Sequence, residues 1–139
     1  MKKTKLFIEH VYDFDLLGVI SSTRFYKMAW CINKSLSIRL KKEEDISLEI
    51  KNGRTSLFGN YIFENESCYL QLYKNKSLDG ENAYLIPEMP HYDYLIKTSL
   101  EYQSFVTEEI IKALKEVTWI EYIAAIEVNN LKSKDNFLT

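Results

Sequence analysis

The sequence has few of the residues from which tight turns, cross-links and phosphate-binding loops are built. It contains four glycines, two prolines and two cysteines among 139 residues. So few glycines leave little material for a phosphate-cradling loop, and no P-loop, GxGxxG, GxSxG, HExxH or EF-hand pattern occurs. Cys31 and Cys68 lie far apart and have no C-x-x-C or paired-histidine spacing. We therefore expect two buried, small hydrophobic side chains, not a disulfide, a nucleophile or metal ligands.

Neither sign of charge dominates the chain. It has 18 Lys and Arg against 20 Asp and Glu, which gives a net charge of −2 and a pI of about 5.7. The basic residues at 39–42 are followed at once by the acidic residues at 43–45, as in a solvated turn with cancelling charges. A chain without a positive field is not expected to bind nucleic acid.

A long hydrophobic run is also missing. Nowhere does the chain contain the roughly 18 consecutive apolar residues of a membrane-spanning helix. The N-terminus is basic, but the apolar run at 6–8 is broken immediately by Glu9 and His10, which is not typical of a secretory signal. These patterns predict a cytoplasmic protein with no membrane partner.

Hydrophobic periodicity predicts the fold class. Apolar runs with a period of two indicate strands, and runs with a period near 3.6 after a polar cap indicate helices. The pattern predicts one α+β domain over 1–139, with a mostly antiparallel sheet, a central β-meander and two helices packed on the sheet. Residues 129–139 form a tail that is either docked or disordered. The predicted strands lie at 6–11, 16–20, within a meander at 46–73, and at 83–86, 92–98 and 120–128, and the helices begin after caps at Ser22–Thr23 and at Thr107.

The β-meander carries large apolar side chains on both faces. Tight turns are predicted at 52–53 and 65–66, with Ile50 opposite Thr55 across the first turn. Cys68 then lies on the face that the register assigns to the core. The opposite face, where a half-exposed sheet would be polar, carries Phe58, Ile62, Tyr69 and Tyr73, with Phe58 opposite Tyr73.

Three explanations of this aromatic second face stay open. A helix or a terminal segment of the same chain covers it, or it is the interface of a homodimer or of a complex with a protein partner. The third is stacking of single-stranded nucleic acid, for which the flanking positive charge is thin.

One segment resembles a known family. Residues 86–94 read Ile-Pro-Glu-Met-Pro-His-Tyr-Asp-Tyr, and they resemble the signature of the bacterial IPExxxVDY family. Tyr92 stands where that family has Val. The C-terminal segment at 131–136 resembles the family's ending, so the resemblance spans nearly the whole chain. It implies no catalytic residues, because the family has no assigned biochemical function. The matching residues are Ile86, Pro87, Glu88, Asp93 and Tyr94 in the motif, and the tail candidates are Lys132, Lys134, Asp135 and Asn136.

The motif allows more than one chemical role. Glu88 and Asp93 could act as a general acid–base pair, and His91 with either carboxylate could bind a metal, although the local sequence offers no third ligand. Alternatively the motif is a structural connector, in which Pro87 ends a strand, Glu88 binds backbone groups within the connection and Pro90 stiffens it. In this connector Asp93 either accepts hydrogen bonds from nearby backbone donors or pairs with a lysine, and Tyr94 packs. A recognition loop is a further alternative.

The sequence best predicts a non-enzymatic binding or interaction module that uses the aromatic second face, either as a homo-oligomer or with a protein partner. The alternative is a small-molecule-binding or weakly catalytic domain centred on residues 86–94. No catalytic residue, metal or other cofactor is predicted.

Overall fold

Eight strands and two α-helices form the part of the chain that the computed structural model describes, residues 14–50, 53–79, 82–99 and 107–137. The predicted strand at 6–11 lies outside these residues. Two short 3₁₀ helices follow the last strand, at Val128–Asn130 and Lys134–Phe137. In chain order the elements are β1 Phe14–Ile20, α1 Phe25–Leu36, β2 Lys41–Lys42, β3 Ile46–Ile50, β4 Arg54–Phe58, β5 Asn60–Glu64, β6 Tyr69–Lys74, β7 Tyr94–Ser99, α2 Thr107–Leu114 and β8 Tyr122–Ile126.

Six strands form one sheet in the order β2-β5-β6-β7-β1-β8, and β3 and β4 form a separate hairpin. All neighbouring strands are antiparallel. This architecture confirms the predicted α+β class. β1 lies inside the sheet between β7 and β8, as its apolar side chains on both faces predict.

Both helices pack on one face of the sheet. On α1 the buried residues are Met28, Ala29, Cys31 and Ile32, which recur at helical spacing, and on α2 they are Ile110 and Leu114. These side chains share one core with residues of the sheet, Leu17, Val19, Leu70, Leu72 and Ile96 among them.

The predicted helix cap at Ser22–Thr23 is wrong. α1 begins after Arg24, whose side chain makes no capping hydrogen bond. The neighbouring hydroxyl of Ser21 has other partners: it accepts a hydrogen bond from the Thr23 N–H at 3.1 Å and donates one to the carbonyl of Trp119. The polar residues before α1 therefore anchor the chain to the loop before β8.

Among the described residues, irregular segments and short 3₁₀ helices cover the opposite face of the sheet. A second core lies there, formed by side chains of the sheet, of β4, of the segment before β7 and of the C-terminal tail. Its contributors include Leu16, Tyr73 and Leu95 from the sheet, Phe58 from β4, Leu85, Ile86 and Tyr92 from the segment before β7, and Leu131 and Phe137 from the tail.

The predicted register of the first hairpin is wrong by one residue. Ile50 lies opposite Arg54 instead of Thr55, so three residues connect the paired positions. The last of them, Gly53, has a φ of 72°, the left-handed conformation of a three-residue hairpin loop. Because a shift of one residue exchanges the two faces of a strand, Leu57 is exposed and Phe58 is buried.

The second predicted register is wrong by two residues, which leaves the faces unchanged. Asn60 lies opposite Tyr73, where Phe58 was expected. A longer loop causes the shift: the Asn65 N–H donates to the Cys68 carbonyl at 2.9 Å, and the Asn65 side chain accepts from the Ser67 N–H. Cys68 is buried, as predicted. The strand predicted at 83–86 is also wrong, since only Tyr84 forms an isolated bridge there, with Lys76.

Gly18 gives a direct test of how the segment before β7 packs on the sheet. A Cβ at this position would lie 2.5 Å from Cδ1 of the Tyr92 ring. We expect Gly18→Ala to destabilise the protein by about 1–3 kcal/mol through overpacking. Tyr92→Val removes the ring, so the double variant is expected to lose less stability than the sum of the two single variants. Urea denaturation of the four proteins measures the coupling, and strictly additive losses would contradict the contact.

Candidate functional site

The side chain of Asn75 organises the motif segment. It is fully buried directly after β6. Its Oδ1 accepts a hydrogen bond from the Ile86 N–H at 3.0 Å, and its Nδ2 donates to the carbonyls of Met89 at 3.1 Å and Tyr92 at 2.9 Å. The Asn75 N–H donates to the Asp93 carbonyl at 3.1 Å. One amide side chain thus satisfies backbone groups from Ile86 to Tyr92, the part of the motif that precedes β7.

Glu88 attaches the motif to the C-terminal tail. Its carboxylate accepts hydrogen bonds from the N–H groups of Lys132 at 2.7 Å and Ser133 at 3.3 Å, and from the Ser133 hydroxyl at 2.9 Å. Partial burial raises the pKa of the Glu88 carboxyl, but these hydrogen bonds and one from its own N–H outweigh that effect, and the pKa is lowered. The connector hypothesis placed the backbone partners of Glu88 within the connection, whereas the N–H groups of Lys132 and Ser133 lie in the tail.

Asp93 and Tyr94 hold the chain between β1 and α1. The Asp93 carboxylate accepts a hydrogen bond from the Ser21 N–H at 2.8 Å, and the Asp93 N–H donates to the Val19 carbonyl at 2.8 Å. The Tyr94 hydroxyl donates to the Thr23 carbonyl. Burial, with the nearby Asp93 charge as a second cause, raises the pKa of Tyr94 to about 12. Asp93 and Tyr94 therefore position the segment that leads into α1.

The two carboxylates of the predicted acid–base pair bind different segments. Glu88 holds the tail and Asp93 holds the end of β1. Pro87 and His91 are exposed, and the His91 ring lies 4.5 Å from the Tyr92 ring. Among the described residues, no group of three or more His, Cys, Asp or Glu side chains is placed to hold a metal ion.

The tail lies against the motif and the second core. Phe137 is fully buried, with its ring centroid 5.2 Å from that of Tyr73 in an edge-to-face arrangement. The Asn136 side chain donates to the Leu85 carbonyl at 2.8 Å. Lys132 and Asp135 are exposed, and the ammonium group of Lys134 donates to the Asn129 carbonyl at 3.4 Å. The described part of the predicted tail, residues 129–137, thus contacts the motif segment and the second core.

The residues of the aromatic second face have different environments. Phe58 and Tyr73 are 0% and 1% exposed, because the chain itself covers them. Ile62 and Tyr69 are partly exposed. The hydroxyls of Tyr69 and Tyr73 both donate to Oε1 of the buried Gln71, which explains why a polar residue lies among them. Burial raises the pKa of Tyr73 well above its usual value.

The exposed aromatic side chains of the described chain include both tryptophans. Trp30 is 54% exposed on α1 and Trp119 is 40% exposed on the loop before β8. Tyr26, one turn before Trp30 on the same helix, is 63% exposed. Lys27 lies over the Trp119 ring, 4.1 Å from its centroid, and Lys34 lies 5.1 Å from the centroid of Trp30. We call Tyr26, Lys27, Trp30, Lys34 and Trp119 the tryptophan patch.

The tryptophan patch surrounds a recess of about 170 Å³. Besides the two indoles, its wall includes Cys31, Lys34, Val117 and Thr118. Burial raises the pKa of the Cys31 thiol, and the positive charges of Lys27 and Lys34 lower it by less. The thiol is therefore protonated at neutral pH, which is not the state of a nucleophilic cysteine.

Hydrogen bonds connect the motif to the tryptophan patch. Asp93 accepts from the Ser21 N–H, and the Ser21 hydroxyl donates to the Trp119 carbonyl. Ser21 is 2% exposed, whereas Asp93 and Trp119 are exposed, so these bonds are partly buried. The Glu121 N–H also donates to the Ile20 carbonyl at 2.9 Å, directly beyond Trp119. Two hydrogen bonds thus hold the backbone from Trp119 to Glu121 against the end of β1.

Sequence reasoning missed Asn75, Ser21 and the two tryptophans. Trp30 had a detectable signal, because it falls on the side of α1 opposite Met28 and Ile32, where a large apolar residue is unusual. Asn75 had none, since its partners are remote in the sequence.

Compared with known proteins, the chain matches no family model, no curated protein and no solved structure. No helix within the described ranges has both the length and the apolar character needed to cross a membrane.

The tail attachment has a predicted pH dependence. Because the folded-state pKa of Glu88 lies below its unfolded value, the carboxylate stabilises the attachment fully above the unfolded pKa of about 4.3. That contribution is lost as the pH falls through the folded pKa. We expect the protection factors for amide hydrogen exchange at Lys132 and Ser133 to fall over this range. Glu88→Gln should lower them already at pH 7, whereas the control Glu127→Gln should not. Equal protection in both variants would show that Glu88 does not hold the tail.

Proposed function

We propose that the protein is a non-catalytic binding module that contacts a protein partner through the tryptophan patch. The observation that carries this proposal is the exposure of both tryptophans of the chain, Trp30 and Trp119, on one surface. Tryptophan is enriched among the residues that dominate protein–protein binding energies. An exposed tryptophan also leaves a large apolar area in water, which is unfavourable unless a partner covers it.

The rigidity of the patch supports the same proposal. Lys27 joins α1 to the loop of Trp119 through its contact with the indole ring, and Ser21 holds the backbone of that loop. A surface that is already ordered loses less conformational entropy when it binds. The interface is thereby assigned to α1 and the loop before β8, whereas the sequence alone favoured the aromatic second face.

The contacts of the motif favour support of the fold over catalysis. Glu88 and Asp93 accept hydrogen bonds from backbone N–H groups, and Tyr94 donates to a backbone carbonyl. The two segments that resemble the IPExxxVDY family, 86–94 and 131–136, contact each other through Glu88. This contact gives a physical reason for both segments to occur in one chain. It supports our proposal that the chain is related to that family.

Selection from a random peptide library displayed on phage tests the proposed function. Peptides enriched on the wild-type protein should change its tryptophan emission and bind Trp30→Ala or Trp119→Ala at least about tenfold more weakly. Tyr122→Ala is the matched control, because Tyr122 is 53% exposed on β8, outside the patch. Melting curves confirm that each variant is folded. If no peptide is enriched, or if binding is insensitive to both tryptophan substitutions, the proposal is wrong.

The hydrogen bonds through Ser21 predict an effect of Asp93 on the patch. Asp93→Ala leaves the buried Ser21 N–H without its carboxylate partner, at a cost of about 1–3 kcal/mol. In a Trp30→Phe background the emission of the single remaining Trp119 should shift, and the selected peptides should bind several-fold more weakly. Glu88→Ala, which removes a carboxylate that holds the tail, should change neither. An unchanged Trp119 emission in Asp93→Ala would contradict this positioning role.

A further inference from the structure

We propose that the tryptophan patch recognises an acidic peptide segment that presents one bulky apolar side chain. This inference rests on the function proposed above and specifies the chemistry of the partner. It follows from the charge of α1 and its flanks, from the size of the recess and from the lysines on the indole rings.

The α1 part of the patch is basic, although the whole protein is slightly acidic. Residues 16–42 contain no Asp or Glu. α1 itself has Lys27 and Lys34 as its charged residues, and both ammonium groups are close enough to act on the Cys31 thiol inside the recess. The nearest acidic residues in the sequence of the Trp119 loop, Glu116 and Glu121, do not line the recess. The patch therefore has the charge that complements carboxylates.

The recess is suited to one side chain. Its volume of about 170 Å³ is below the range of pockets that enclose small-molecule ligands, about 300–1,000 Å³. Its walls include the two indoles, Val117 and Lys34, and are mostly apolar. An apolar side chain in this open recess would be partly desolvated by the indole rings, while flanking carboxylates reach Lys27 and Lys34. Apolar anchoring surrounded by charged contacts is the usual arrangement of a specific interface.

Single-stranded nucleic acid also combines negative charge with aromatic stacking, but the geometry favours the peptide. Lys27 lies on one face of the Trp119 ring, and Lys34 approaches the Trp30 ring, so less of each indole is free for a base. The protein also has a net charge of −2, which repels a long polyanion more than a short acidic segment.

Tryptophan emission provides the measurement, because both tryptophans lie in the patch. The probes are three short synthetic peptides: one with acidic residues on both sides of a single Phe, one with Lys replacing the acidic residues, and one with Ala replacing the Phe. We expect the acidic Phe peptide to bind at least about tenfold more tightly than either of the others. Its affinity should fall as salt is raised from low to physiological concentration.

Charge reversal identifies the contact. The double variant Lys27→Glu, Lys34→Glu should bind the acidic Phe peptide at least about tenfold more weakly and should bind the Lys peptide better than the wild type does. Lys76→Glu is the matched control, because Lys76 is exposed beside Tyr84, away from the patch.

The outcomes separate this inference from the proposed function. If the library selects peptides that depend on Trp30 but carry no acidic residues, the inference is wrong and the binding module stands. If oligothymidylate binds the patch more tightly than the acidic Phe peptide, the partner is nucleic acid and the inference is overturned. If no peptide of either experiment depends on Trp30 or Trp119, both proposals fail.

Discussion

The side chain of Asn75 is the interaction on which the covered face of the sheet depends. A segment that crosses a sheet face without regular structure must still satisfy its backbone hydrogen-bonding groups. Asn75 does this for Ile86, Met89 and Tyr92 from one buried position. Each backbone group left unpaired there would cost about 1–3 kcal/mol, more than the roughly 1 kcal/mol that a made hydrogen bond contributes. The tail in turn depends on this segment, because it binds Glu88.

The sequence correctly predicted the elements whose hydrophobic pattern lies within a single segment of the chain. The helical spacing of Met28, Ala29 and Ile32 set the buried side of α1, and the doubly apolar run of β1 identified an inner strand. The hairpin registers were mispredicted because the same turn signal serves loops of different length. Gly53 fits a two-residue or a three-residue loop equally well, and only the pairing of Ile50 with Arg54 distinguishes them.

The motif was predictable as a group of residues, but its partners were not. Glu88 binds Ser133, 45 positions away, and Asp93 binds Ser21, 72 positions away. No spacing rule connects residues at such separations, since the approach depends on how the sheet and its cover fold. The net charge likewise gave no sign of the stretch at 16–42 that lacks Asp and Glu. It is a sum over all 139 residues, so a local excess of positive charge does not appear in it.

The sheet separates the two features that the chain combines. The tail and the aromatic residues Phe58, Tyr73 and Phe137 form the core on one face, whereas α1 carries the tryptophan patch on the other. Asp93 lies in the segment that serves the first face, yet its carboxylate holds Ser21, whose hydroxyl holds the loop of Trp119. Because only Ser21, which is buried, stands between Asp93 and the Trp119 carbonyl, the cover of one face helps to set the geometry of the binding surface on the other. Substitutions at Glu88 therefore act on the tail, whereas substitutions at Asp93 act on the patch through Ser21.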